Sequence, residues 1–222
     1  MPIAFLTFAA IFTQLCELAS AVKADSPGQR NEFCVTGTVS YVVGYHEDLR
    51  HVIVEDGTNA VDIQGYAKAP PRTGDVVCIE GCIEPRDTGA RAQFSRFVVL
   101  CHANASAPVS GTVAEIMSGK HDYRRAHLIG EVRDVVPSGT DPCWNYLSLV
   151  GDENLYYVPI PTRGARLEEL VPLVGCIVRL DGYPDPHNGS YRFLDERRFV
   201  VADLAHITVL ARPPADPFEN SP

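Results

Sequence analysis

The chain has 222 residues, 45% of them hydrophobic and 21% charged, which supplies a packed core and excludes a disordered or coiled-coil chain. The 19 Lys and Arg stand against 28 Asp and Glu, for a formal net charge of −9. Such a balance repels polyphosphate backbones, whose nonspecific affinity comes from Lys and Arg displacing counterions, so nucleic acid is not expected as a partner. The 17 Gly and 17 Pro, among many Val, Ile and Tyr, favour short strands broken by turns.

At the N-terminus an apolar run from Met1 to Leu18 leads into Ala19-Ser20-Ala21, a small-residue pattern suited to signal-peptidase cleavage. Residues 1–21 therefore read as a secretory signal peptide, and the mature chain is expected to be periplasmic or extracellular. The first basic residue is Lys23, and Gln14 and Glu17 interrupt the run; the competing reading is a first buried helix of the domain. A membrane span needs about 20 uninterrupted apolar residues, and no segment provides them. Cleavage would leave Cys34, Cys78, Cys82, Cys101, Cys143 and Cys176, an even set in a compartment where disulfides form.

The rest of the chain repeats itself. Gly37-Thr-Val-Ser-Tyr-Val-Val43 matches Gly130-Glu-Val-Arg-Asp-Val-Val136, and His51-Val-Ile-Val-Glu-Asp-Gly57 is set beside Tyr146-Leu-Ser-Leu-Val-Gly-Asp152. Val77-Cys-Ile-Glu-Gly-Cys-Ile-Glu-Pro85 matches Val178-Arg-Leu-Asp-Gly-Tyr-Pro-Asp-Pro186, and Phe97-Val-Val-Leu100 is set beside Ile207-Thr-Val-Leu210. Four segments in one order mean a repeated structural unit. Each copy has the period of strands: Val35, Gly37, Val39 and Tyr41 alternate with polar neighbours. Val52 and Val54, then Val61 and Ile63, alternate around an Asp56-Gly57-Thr-Asn59 hairpin turn. Asp75–Ile83 and Gln93–Leu100 supply two more strands, and five short strands are the count of an OB-type barrel.

The predicted fold class is all-β: two tandem OB-like five-stranded barrels at residues 33–102 and 126–211, joined through a connector at 103–125. That connector holds a short helix over 110–118, with Ser110 or Thr112 as N-cap, Glu115 in its first turn and Gly119 after its last. The second copy reads Val171-Pro-Leu-Val-Gly175 where the first has its Gly74-Asp75 turn, and residues 212–222 form a Pro-rich tail.

Catalytic motifs are missing. There is no Gly-x-Ser-x-Gly elbow, no phosphate-cradling Gly-rich loop ahead of a helix, and no second His after His46-Glu47 to complete a helical zinc pair. Glu80, Glu84, Asp181 and Asp185 recur at equivalent places in both copies, which fits turn building better than acid/base work. Cys34, Cys78, Cys82 and Cys101 are a candidate four-thiolate zinc site. An inter-strand disulfide, for instance Cys34 with Cys78 or Cys82, is a stronger reading than zinc, and free thiols acting as small hydrophobes are favoured over both. The expectation is thus no catalytic residue, no metal and no cofactor.

The Gly-x-Val opening, the Glu-Asp-Gly hairpin, Gly74-Asp75-Val-Val-x-Ile-Glu-Gly81, the inter-repeat helix and the closing Ala215-Asp-Pro-Phe218 resemble the tandem OB-like extracytoplasmic region of large bacterial sensor histidine kinases. The likeness covers about residues 33–218 and implies an exported, non-enzymatic binding or sensory module. Such a module is the extracytoplasmic part of a signal-transduction protein, or its companion, with a small molecule, glycan or protein as ligand. An OB barrel binds on the face of its second and third strands and the adjoining loops. This selects Tyr45, His46, Arg50 and His51 in the first copy and Trp144, Tyr146 and Tyr157 in the second, aromatic rings there being able to stack on bases or sugars. The alternatives are an oligosaccharide- or single-strand nucleic-acid-binding OB protein, and a hydrolase with an unrecognised site.

Overall fold

A computed structural model describes residues 11–23, 31–45, 47–86, 89–139, 141–186 and 198–213. It divides into two compact units, the first containing the described residues up to Ala107 and the second those from Pro108.

In the first unit, β1 (Ile11–Phe12) and helix α1 (Leu15–Lys23) precede β2 (Asn31–Gly44), β3 (Leu49–Glu55), β4 (Ala60–Tyr66), β5 (Asp75–Arg86) and β6 (Gly89–His102). Strands β2, β3 and β4 form an antiparallel meander, β4 pairs parallel with β6, and β6 returns antiparallel to β5. Strand β5 then pairs with β2 from Asn31↔Ile83 to Thr38↔Val76, so the sheet closes on itself as a five-stranded barrel. This order is the Greek key of an OB barrel, and closure removes both sheet edges. The alternation read from sequence points inward as expected: Val35, Val39, Val52, Val54, Val61, Ile63, Val77 and Ile79 are all buried in one core. At the β3–β4 turn Asp56 Oδ1 accepts from the Thr58 and Asn59 amides at 2.9 and 2.7 Å, while Gly57 takes the positive φ of 91°.

Helix α1 falls within the segment read from sequence as a leader at residues 1–21, of which residues 1–10 lie outside the described residues. Leu15, Leu18, Ala19 and Val22 follow the i, i+3, i+4, i+7 spacing of one helical face and are buried in the same core as the barrel strands. Gln14 and Glu17, which break the apolar run in the sequence, lie on the exposed side. The interruptions are the solvent face of an amphipathic helix. Among the described residues no helix is long and apolar enough to cross a membrane.

In the second unit, β7 (Ala126–Pro137), β8 (Trp144–Gly151) and β9 (Asn154–Pro161) form a second meander. Strand β10 (Ile177–Asp185) pairs antiparallel with β7, and then with both β11 (Arg198–Val200) and β12 (Ile207–Ala211). Helix α2 (Val113–Met117) is the expected short helix. Thr112 caps it, its Oγ1 accepting from the Glu115 amide at 3.2 Å while Glu115 Oε2 accepts from the Thr112 amide at 2.9 Å. It is more than a connector, because Val113 and Ile116 are buried in this unit's core with Leu128, Leu147, Val158, Ile160 and Val178. Helix α3 (Leu167–Leu170) runs into a 3-10 turn at Val171–Leu173.

The sequence repeat has a structural cause. Gly74 and Gly175 take positive φ values of 93° and 79°, and each donates its amide to the strand that opens its unit, to Val39 O and Val132 O, both at 2.8 Å. The turn that Val171-Pro-Leu-Val-Gly175 was expected to replace is therefore kept, with Gly175 in the place of Gly74. A Cβ on Gly81 would lie 2.0 Å from Gln93 O, and one on Gly182 would lie 2.2 Å from Val200 O, so both positions admit only glycine where two strands close in. Strands β2 and β7 also bulge at the same place, after Val39 and after Val132. The repeated acids do other work than expected: Glu80 binds Arg96, Asp181 binds Arg125 and Asp185 binds Arg198, all along strands rather than in turns. The units differ at their last strand, which is long in β6 and divided into β11 and β12 by a 3-10 turn at Leu204–His206.

Replacing Leu18 by Ala is expected to cost the first unit about 2–5 kcal/mol in chemical denaturation, because it opens a cavity under the barrel. Glu17→Ala should stay within about 0.5 kcal/mol. A removable leader would leave both variants at the wild-type value.

Candidate functional site

Strand alternation decides which side chains a barrel offers to a ligand. On β3 and β4, Val52, Val54, Val61 and Ile63 point into the core, which sends His51, Asp62 and Gln64 to the opposite side of the wall. His51 Nδ1 lies 2.7 Å from Asp62 Oδ2, and Gln64 Nε2 donates to the same oxygen at 3.3 Å. His51 is 8% exposed, and Tyr45 stacks on its ring with centroids 4.5 Å apart and planes 21° from parallel. Arg50 is half-buried and donates through Nη1 to Glu47 O at 2.8 Å and Leu49 O at 3.0 Å, bracing the loop between β2 and β3. Tyr45 and His51 are thus brought together, with Asp62 and Gln64 beside them, while Arg50 turns to the β2–β3 loop; the other Asp62 oxygen, Oδ1, is buried without a hydrogen-bond partner. His46 lies outside the described residues.

Asp62 and Gln64 are missed by sequence reasoning. Their polar alternation with Val61 and Ile63 is legible in the sequence, but their placement beside His51, Gln64 directly opposite and Asp62 on the diagonal, comes from the strand register. Burial works to raise the Asp62 carboxyl, but the His51 charge, the hydrogen bonds from His51 and Gln64, and Arg91 outweigh it and hold the group below the ordinary carboxylate range.

On the second unit, Leu147, Leu149, Val158 and Ile160 fill the core, so Trp144, Tyr146 and Ser148 on β8 and Tyr157 and Pro159 on β9 share the outer side. Tyr146 faces Pro159 and Ser148 faces Tyr157, which makes the two tyrosines diagonal neighbours, within reach of one another's rings. Both are half-buried, whereas Trp144 is only 4% exposed and acts as a packed anchor at the end of the strand. Asp134 lies opposite Ser148 on β7, and the adjacent exposed Arg133 pairs with Glu131 at 3.4 Å, so this strand carries two acidic groups to one arginine.

A cavity of about 430 Å³ beside α2, lined in part by Ser110, Ser118, Lys120 and His121, is also absent from the sequence reading. Burial, with Lys120 and Arg124 nearby, lowers the His121 pKa and keeps the ring neutral. Among the described residues no three or more His, Cys, Asp or Glu side chains are placed to hold a metal ion, so the four-thiolate site considered above does not assemble.

No family model matches the chain, and no curated protein does. Among solved structures it is similar to the p202 HIN2 tetramer, with TM-score 0.42 and 7% identity over 85% of this chain and 98% of that one. It is similar to a replication protein A heterotrimer bound to ssDNA, with TM-score 0.36 and 13% identity over 85% of this chain and 50% of that one. It is also similar to the Schizosaccharomyces pombe Stn1-Ten1 complex, with TM-score 0.28 and 17% identity over 32% of this chain and 59% of that one. What those proteins bind is their own property.

Two expectations are corrected at this point. The reading as a periplasmic sensory module of signal transduction gives way, since the structures found are OB and HIN proteins, several of them nucleic-acid binders, and none is a sensor. The exclusion of nucleic acid gives way as well, because structures found by the search include one bound to ssDNA and one bound to ds DNA. The physical error lay in treating net charge as a local quantity. A charge of −9 is a sum over the whole chain, whereas single strands also bind by stacking on a small aromatic face that net charge does not describe.

The His51–Asp62 pair predicts an acid-sensitive first unit. A carboxyl held below its unfolded value contributes stability above the ordinary carboxylate range, and loses it as pH falls through the folded value. Urea titrations below about pH 4 should therefore show a weaker loss of stability for Asp62→Asn than for the unaltered chain. At neutral pH His51→Ala should cost about 3 kcal/mol by leaving the Asp62 carboxylate without its partner. Equal acid slopes in the two proteins would refute this role for the pair.

Proposed function

We propose that this chain is a non-catalytic single-strand nucleic-acid-binding protein that stacks bases on the outer face of β8 and β9. The observation that carries the proposal is the pair of half-buried tyrosines, Tyr146 and Tyr157, diagonal to one another on the side of the wall opposite the packed core. The middle strands of an OB barrel are where that fold receives oligonucleotides and oligosaccharides. Aromatic rings there hold successive bases whatever their identity, because every base has a π face.

We further infer that the second unit is itself an OB-type barrel, so that the chain is a tandem of two. Three features support this: the strand pairs β7–β8, β8–β9, β7–β10 and β10–β11 follow the same order as β2–β3, β3–β4, β2–β5 and β5–β6; the Val201 amide, just past β11, donates to Pro159 O of β9 at 3.2 Å, where closure would fall; and the turn and close-approach glycines recur in equivalent positions.

With Glu131 and Asp134 against one arginine, Arg133, along β7, affinity should come from bases more than from phosphates. Fluorescence anisotropy with labelled oligothymidylate and oligouridylate tests the proposal. Tyr146→Ala and Tyr157→Ala should each weaken binding about 5- to 150-fold. The dependence of log K on log salt should be no steeper than about −2, the slope of a protein releasing few counterions. Absence of binding to any single strand at low salt, or binding to a glycan array that the same substitutions abolish, would overturn it.

A further inference from the structure

Strands β2 and β5 form the seam that closes the first barrel, and on its outer side Cys34 Sγ lies 3.7 Å from Cys78 Sγ. The register sets Cys34 opposite Glu80 and Thr36 opposite Cys78, so the two thiols are diagonal neighbours; Cys82 occupies the other diagonal from Cys34. A twisted antiparallel pair draws one diagonal together and spreads the other, which is why one of two candidates equivalent in sequence is selected. Cys34 is exposed and Cys78 half-buried, so a small reagent reaches the first and the second stands behind it. Cys176, by contrast, is sealed in the core of the second unit.

We propose that Cys34 and Cys78 are a thiol–disulfide exchange site that a low-molecular-weight disulfide oxidises to an intramolecular disulfide across the β2–β5 seam. The step balances. The Cys34 thiolate attacks one sulfur of the small disulfide, forming a mixed disulfide and expelling one small thiolate. The Cys78 thiolate then attacks Cys34 Sγ, forming the protein disulfide and expelling the second small thiolate. The two protein thiols lose two protons and two electrons, and the reagent gains them as two thiols. Side-chain rotation must close the sulfurs from 3.7 Å to the bonded separation of about 2.05 Å.

The environment sets the rate. The hydrogen bond with Cys78, then burial, pushes the Cys34 thiol up from its ordinary value, and the nearby Glu80 carboxylate adds to this while Arg96 opposes it. The nucleophilic thiolate is therefore scarce at neutral pH, and exchange accelerates as pH rises. The product would bind together two strands that bring Phe33, Val35, Val77 and Ile79 to the core, and would tie residues 44 positions apart in the unfolded chain. That is the situation in which a crosslink stabilises by restricting the denatured ensemble.

The experiment uses the full chain, incubated with oxidised glutathione over a range of pH, alkylated, and mapped by mass spectrometry without reduction. The expected result is a peptide pair joined at Cys34 and Cys78, two thiols fewer per chain, and a Tm raised by at least about 5 °C that dithiothreitol reverses. Cys34→Ser and Cys78→Ser should each abolish the linked peptides and the Tm increase, while Cys101→Ser keeps both. A lasting glutathione adduct on Cys34 that Cys78 does not resolve, disulfide-linked dimers, or a bond to Cys82 would overturn the proposal.

Discussion

A five-stranded sheet has two edges, and in the first unit both vanish through one pairing, that of β2 with β5. Its consequences run through the unit. Because the pairing extends along nearly the whole of the first half of β2, the alternating apolar residues of both strands are committed to one interior, and α1 has a barrel end to cover. The β2 bulge at Val39 to Tyr41 frees the second half of that strand to continue with β3, so a single chain segment serves two neighbours. The closing turn is fixed by the same strand, since the Gly74 amide bonds Val39 O at the end of the seam.

The second unit reuses these devices with different side chains. A bulge follows Val132, Gly175 repeats the backbone conformation and hydrogen bond of Gly74, and Gly182 makes the close approach that Gly81 makes. What repeats in sequence is therefore largely what backbone geometry demands. Positions free to vary have diverged: a long β6 in one unit corresponds to β11, a 3-10 turn and β12 in the other. There Asp203 accepts from the Ala205 amide at 2.9 Å and lies 2.7 Å from His206 Nδ1.

The two outer faces differ in chemistry for the same reason. In the first unit Tyr45 stacks on His51, and His51 and Gln64 share one Asp62 oxygen while the other is buried without a hydrogen-bond partner. In the second, Tyr146 and Tyr157 stand on a wall without an equivalent histidine–carboxylate pair at those positions. Shared backbone devices thus leave the faces free to differ, and the tyrosine face is the one that offers stacking surface without demanding basic charge.

By itself the sequence determined the period of the strands, the hairpin at Asp56–Asn59, a helix cap at Ser110 or Thr112, the matching Gly81 and Gly182 and the existence of a sequence repeat. All of these depend on local backbone preference or on alternation along one strand, which residue order records directly. Only the tertiary structure decided what faces what. Leu15, Leu18, Ala19 and Val22 are equally apolar in a leader or in a core, and only packing beneath a barrel distinguishes the two. Asp62 became the partner of His51 through register between strands, and Cys34 met Cys78 rather than Cys82 through twist. Trp144, the most conspicuous ligand candidate in the sequence, was removed from the surface by burial, leaving its neighbours Tyr146 and Tyr157 to form the face. These are relations between residues distant in the chain, fixed by the closing of a sheet, and composition and spacing carry no trace of them.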